Sequence, residues 1–380
     1  MSVFDALIGQ EKVVGQLRHA LSEPGAMTHA WLFTGPPGSG RSVAALAFAA
    51  ALQCDQGGCG TCQQCRSALA GSHPDVTRIT TEKVIISMEE VRDLVGVAQR
   101  APAHGRWRVI VMEDADRMVE RTSNVLLKSI EEPPERTVWL LCAPSPDDVI
   151  TTIRSRCRHV GLRIPPLGDV VRLLVEEDGI DEATARAAAQ AAQCHVGMAR
   201  RLARNPQARQ WRERVVRLPL QVRSVADAVR DANALVEAAR ENAQQANEER
   251  NQQEREKLLR DLGVEDGGTR LPPSVRARVR QLEEDQKRRA TRYERDMLDR
   301  ILVDLLSLYR DVAIAQVGGD TPFINADVER EIRQLALDST LAATVARMDA
   351  IAVARRRLAG NVAPLLAMEA MLIALRPQAG

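Results

Sequence analysis

Residues Trp31–Ser42 read WLFTGPPGSGRS, and this stretch decides the fold. Trp31, Leu32 and Phe33 end a strand. Gly35, Gly38 and Gly40 form a turn, and Arg41-Ser42 open an alanine-rich helix that runs to Cys54. The layout is that of a phosphate-binding loop, G-x-x-x-x-G-[K]-[ST], with arginine in the lysine position. Glycines allow backbone N–H groups to turn inward and form an anion nest at a helix N-terminus. Gly35, Gly38, Gly40, Arg41 and Ser42 are therefore nucleotide-binding candidates, with the Ser42 hydroxyl placed for magnesium. Lysine would act here as a compact point charge, whereas a guanidinium is planar and directional. The frame of a nucleotide site is kept and its cation is altered.

The neighbouring stretches supply the rest of a sheet. Ile8-Gly9-Gln10 precedes a helix over Glu11–Leu21, and Val84–Arg100 has apolar residues at the helical period. Arg106–Met112, RWRVIVM, is a buried strand that delivers Glu113 and Asp114 at its end. In a nucleotide site the first acid holds magnesium and the next orients the attacking water. The alternative is a solvated acidic turn. Asn124–Glu132 forms a helix stopped by Pro133-Pro134, and Thr137–Cys142, TVWLLC, is another buried strand. Ile153–Cys157 ends the next helix or turn. Strands alternating with helices imply a parallel α/β sheet flanked by helices.

Four of the seven cysteines, Cys54, Cys59, Cys62 and Cys65, fall in a C-x4-C-x2-C-x2-C pattern. Four thiolates close a tetrahedral Zn²⁺ site with no open position, so the expected role is structural. The alternative is a set of unligated thiols on a loop. Cys142, Cys157 and Cys194 are scattered.

The chain has 380 residues, 45% of them hydrophobic and only 3% aromatic, with a net charge of +1. Such balance disfavours a free-standing nucleic-acid binder, which normally carries a basic excess. No apolar run approaches the roughly 18 residues of a membrane helix, and the N-terminus lacks the apolar core of a secretory leader. A cytoplasmic location is expected. Residues 1–163 are expected to form the α/β domain, with the zinc module at 54–65. Residues 164–212 form a small helical lid and 213–380 an all-α C-terminal bundle. Within the bundle, about 222–296 is a polar insert. There Glu241–Lys257 is too polar to bury a face, Gly263, Gly267-Gly268 and Pro272-Pro273 interrupt it, and Ser274–Tyr293 resumes. Met297–Val312, Val328–Ala336, Leu341–Leu358 and Val362–Leu375 are amphipathic helices.

Taken together, these motifs resemble bacterial clamp-loader subunits of the AAA+ class, from DNA polymerase III, and among them the delta-prime type. The matching residues are Phe4, Ile8-Gly9-Gln10, His29–Gly35, the cysteine cluster, His73-Pro74-Asp75, Asn124–Pro134, Ser155-Arg156-Cys157 and Gly197–Arg200. The strings NVLLKSIEEPP and SRC are the most specific. The resemblance implies a hetero-pentamer with tau/gamma motor subunits and a delta subunit, which places a sliding clamp on primed DNA. Arg156 would be an arginine finger given in trans to a neighbour's nucleotide, and Arg200 the second nucleotide sensor. Several motor features are altered. Arg41 replaces lysine, Glu113-Asp114 stands where motors have Asp-Glu, and Ala143-Pro144 lacks the sensor hydroxyl. A water-orienting group displaced by about 1 Å can cost on the order of a hundredfold in rate. The implied subunit hydrolyses little or no ATP by itself, and occupancy of its own site by ATP and magnesium stays open. Competing expectations are an active motor subunit of the same complex, a P-loop nucleotide kinase, and a zinc-dependent nucleic-acid binder.

Overall fold

The computed structural model describes residues 2–23, 25–80, 85–261, 273–360 and 362–376. The chain divides into two compact units, Met1–Arg204 and Asn205–Gly380.

In the first unit, α1 (Glu11–Ser22) leads to β1 (Ala30–Thr34), whose five residues are all buried. Then follow α2 (Arg41–Gln53), α3 (Gln63–Leu69), β2 (Val76–Ile79), α4 (Met88–Ala98), β3 (Arg108–Met112) and α5 (Glu120–Glu131). The sheet is completed by β4 (Thr137–Ala143), α6 (Thr151–Arg154) and β5 (Arg158–Gly161). The strand order is β2-β3-β4-β1-β5 and every pairing is parallel. A parallel sheet buried on both faces needs near-continuous apolar strands, which β1, β3 and β4 supply. Alternate residues serve opposite faces. Trp31 and Phe33 pack with Phe48 of α2, while Leu32 joins Leu94 of α4 and Leu126 of α5.

Helix α4 begins at Met88 rather than Val84. Ser87 caps it, and Glu90 returns a bond to the Ser87 backbone, a reciprocal capping box. Val84 lies outside the described residues, and Ile85 is exposed instead of serving the helix's apolar face. Two short strands, β2 and β5, were not expected from the sequence. Helices α7 (Leu167–Glu176), α8 (Glu182–Ala191) and α9 (Val196–Arg204) complete this unit.

The second unit is all helical: α10 (Pro206–Gln221), α11 (Val225–Asp261), α12 (Pro273–Val317), α13 (Glu329–Asp338), α14 (Leu341–Ala359) and α15 (Pro364–Leu375). Its core gathers Leu235, Leu302, Leu305, Tyr309, Ile351 and Leu372 from four of these helices. The polar stretch and the apolar Met297 stretch are one continuous helix, α12, not two. The change in composition marks a change of neighbour. The first half pairs with α11 through Arg289–Glu254, Arg255–Glu283 and Arg240–Glu294 bridges, and the second half packs in the bundle. Gly263, Gly267-Gly268 and Pro272 lie outside the described residues. Among the described residues no helix is long and apolar enough to cross a membrane.

Candidate functional site

The glycine loop joins the end of β1 to the start of α2. Gly35 has no room for a side chain: a Cβ would sit 2.6 Å from both the Leu162 carbonyl oxygen and Ser39 Oγ. Gly38 has φ +88°, and a Cβ there would lie 2.7 Å from His195 Cγ. His195, just before α9, thus rests on the loop, and its Nδ1 accepts the Met198 N–H at 3.3 Å. Gln10 ties the loop down from the other side. Its buried amide donates to the Ser39 carbonyl (3.2 Å) and the Arg163 carbonyl (2.6 Å). Ser39 Oγ is itself buried with no hydrogen-bond partner among the described residues.

Arg41, the altered cation, turns back and donates through Nη1 to the Gly35 carbonyl of its own loop. The acids are also engaged within the chain. Glu113 pairs with Arg78 of β2, and Asp114 lies 3.6 Å from Arg117. Burial pushes the Asp116 carboxyl up, reinforced by Asp114 and opposed by Arg117 and Arg41. Helix α2 and the glycine turn suit an anion. The magnesium half fits poorly, because Glu113, the acid expected to hold the metal, is paired with Arg78. Arg200 is engaged by acids near the end of α7. It donates to Asp178 (2.7 Å) and Glu177 (2.9 Å), while His195 lies against Gly38.

Arg156 follows α6, just before β5. The register aligns Arg158 with Trp31 and Gly161 with Thr34. Arg156 therefore enters the sheet at the rim where strands begin, while Gly35 leaves it at the rim where strands end. At about 3.3 Å per residue, β1 separates the two rims by roughly 16 Å. Arg156 donates from Nη1 to the Thr152 carbonyl (2.8 Å), and its Nη2 forms an ion pair with Glu131 Oε1 (2.7 Å), with 40% of its side chain exposed.

The four cysteine sulfurs lie within 4.8 Å of one another. Cys54 and Cys59 are 3.7 Å apart, and Cys62 and Cys54 3.8 Å. A tetrahedral ion with about 2.3 Å metal–sulfur bonds needs sulfur–sulfur edges of about 3.8 Å. The N–H groups of Cys59, Cys62 and Cys65 each point at a preceding sulfur at 3.4 Å, the usual outer support of thiolate ligands. The Thr61 hydroxyl, with the N–H groups of Thr61 and Cys62, lowers the Cys59 thiol to about 6, whereas burial raises Cys65. The cluster fits a metal ion and presents four ligands with no gap. Its loop also holds the chain start, since the Val3 N–H donates to the Gly58 carbonyl at 3.0 Å.

Beside it lies a buried polar network. Asp75 is fully buried and accepts N–H bonds from Ala103 (2.8 Å), His104 (2.7 Å) and Gly105 (2.6 Å), with Arg108 at 3.0 Å. Burial alone would raise its carboxyl. The three N–H groups and the guanidinium outweigh that and hold it below the usual carboxylate range.

Comparison with known proteins covers the same part of the chain. Residues 9–166 match the family described as "DNA polymerase III, delta subunit". The chain is 40% identical over 144 residues to DNA polymerase III subunit delta' of Pseudomonas aeruginosa, covering 36% of this chain and 44% of that protein. It is 35% identical over 164 residues to subunit tau of Escherichia coli, covering 42% of this chain and 25% of that protein. It is 32% identical over 185 residues to subunit gamma/tau of Mycobacterium tuberculosis, covering 47% of this chain and 32% of that protein. The chain thus spans less than half the length of these curated relatives. A solved Thermotoga maritima protein related to the gamma subunit aligns over 96% of this chain at 15% identity, with a TM-score of 0.39, too loose a likeness to add weight. Residues 9–166 are thus similar to DNA polymerase III subunits of the delta, delta' and tau/gamma types.

Proposed function

We propose that the chain is a delta-prime-type clamp-loader subunit, a largely non-hydrolysing stator that lends Arg156 to a neighbouring motor subunit's ATP. One observation carries the proposal: Arg156 and the glycine loop lie at opposite rims of one sheet. A guanidinium at the strand-start rim is out of reach of its own loop and is placed for a nucleotide held by another subunit. Arginine suits that task because its planar fork matches phosphate oxygens. The idle state of the chain's own pocket is supported by Arg41 bonding Gly35 and Arg78 occupying Glu113.

The cysteine cluster holds structural Zn²⁺ in this proposal. The α/β part, the lid and the C-terminal bundle take the places of the three clamp-loader domains, split at 1–163, 164–212 and 213–380. The partners are tau/gamma and delta subunits in a hetero-pentamer, the sliding clamp, and primed DNA reached through the assembly, in the cytoplasm. Enzymatic turnover belongs to the polymerase III holoenzyme rather than to this chain. A second possibility, an active tau/gamma-type motor, is favoured by the retained glycine turn and Ser42 and by the matched tau and gamma/tau relatives. ATP hydrolysis by the purified chain separates the two. Turnover below that of motor subunits and indifferent to Arg41→Ala supports the stator. Brisk turnover abolished by Arg41→Ala supports the motor.

A further inference from the structure

We propose that Glu131 is a positioning residue for Arg156, bracing the guanidinium so that it faces a neighbouring subunit. The inference rests on the finger role given to Arg156 above.

Glu131 is the last residue of α5, and its Oε1 lies 2.7 Å from Arg156 Nη2. On the other side, Arg156 Nη1 donates to the Thr152 carbonyl (2.8 Å) and to Ser155 Oγ (3.3 Å). A guanidinium carries five N–H donors. Nη1 is engaged by two neutral acceptors and Nη2 by the carboxylate as an ion pair, and the side chain is 40% exposed. An unbraced arginine would sample many rotamers, and engaging a phosphate would then require ordering it each time. The carboxylate supplies that order beforehand.

Glu131 has little to do for its own helix. A carboxylate at a helix C-terminus faces the negative end of the dipole, and 44% of its side chain is exposed. Its removal should therefore leave the fold intact while loosening the finger. Exposed ion pairs of this kind correspond to changes of at most about fivefold. Because an arginine finger acts on the transition state, the loss should fall on kcat and leave KM for ATP unchanged.

The test uses the assembled loader, with the chain combined with its motor and delta subunits, and reads ATPase kinetics and the melting temperature of the chain. Glu131→Gln should lower kcat roughly two- to fivefold, with unchanged KM, melting temperature and assembly. Glu131→Asp, which keeps the charge, should recover part of the rate. In an Arg156→Ala background Glu131→Gln should have no further effect. The inference is overturned if Glu131→Gln leaves kcat unchanged or raises it while Arg156→Ala collapses it, or if the two losses simply add. If Arg156→Ala itself is silent, the finger assignment fails and this inference falls with it.

Discussion

At the rim where the strands of the first unit end, charged groups are closed in on one another. Arg41 bonds its own loop and Glu113 is bonded by Arg78. At the rim where strands begin, the arrangement divides in two. Asp75 and Arg108 are buried and fully engaged, and the cysteine module sits beyond α2, whereas Arg156 stands at the surface. The difference shows how a parallel sheet can separate two halves of one chemical site. Each strand delivers a loop at one rim and receives one at the other, so the glycine loop and Arg156 of the same chain face opposite ways. Under the proposed function, such a subunit completes a site by standing beside another.

The largest expected effect lies at the surface arginine. Arg156→Ala should lower hydrolysis at the site it serves by on the order of 10³-fold in the assembled loader, measured by single-turnover ATPase. Next is the buried pair at the same rim. Asp75→Ala leaves Arg108 without its partner and should destabilise the first unit by about 3–5 kcal/mol in thermal or denaturant unfolding. The pH sign follows from the lowered carboxyl. The stabilisation is complete above the unfolded value, about pH 4, and is lost as pH falls through the lower folded value. Asp75→Asn should flatten that acid limb. Metal analysis should find one zinc per chain, and Cys62→Ser should remove it and lower the melting temperature by on the order of 5–10 °C. The smallest effect belongs to the closed rim. Arg41→Lys frees the Gly35 carbonyl and should tighten binding of a fluorescent ATP analogue by about tenfold. Unchanged binding would mean that Arg41 is not what closes the pocket.

Those parts of the fold carried by runs of one character were legible in the sequence. β1, β3 and β4 are continuous apolar stretches, and the cysteine spacing left few readings other than a metal. β2 and β5 escaped because edge strands need only a partial apolar pattern: VTRI and RHVG each bury a single residue fully. The arginine-rich α10, with Pro219 inside it, gave no clear start or stop. The start of α4 was visible in hindsight, since Ser87 followed by Glu90 is a capping signature. In the candidate site, the glycines, Arg41, the acids and Arg156 were readable as residue types. Their partners were not. Arg78–Glu113 and Glu131–Arg156 join residues far apart in sequence, and nothing local marks Arg78, Glu131 or His195 as neighbours of the site. Gln10 was flagged only as part of a motif. Its bridge between the loop and the stretch after β5 is a tertiary fact.

The most direct measurement reconstitutes the loader twice, once with the Arg41→Ala chain and once with the Arg156→Ala chain, and compares single-turnover ATP hydrolysis with the unaltered assembly. The account predicts that the Arg41→Ala assembly matches the unaltered one while the Arg156→Ala assembly loses hydrolysis at one site. The reverse result, with hydrolysis lost on removing Arg41 and kept on removing Arg156, would contradict it.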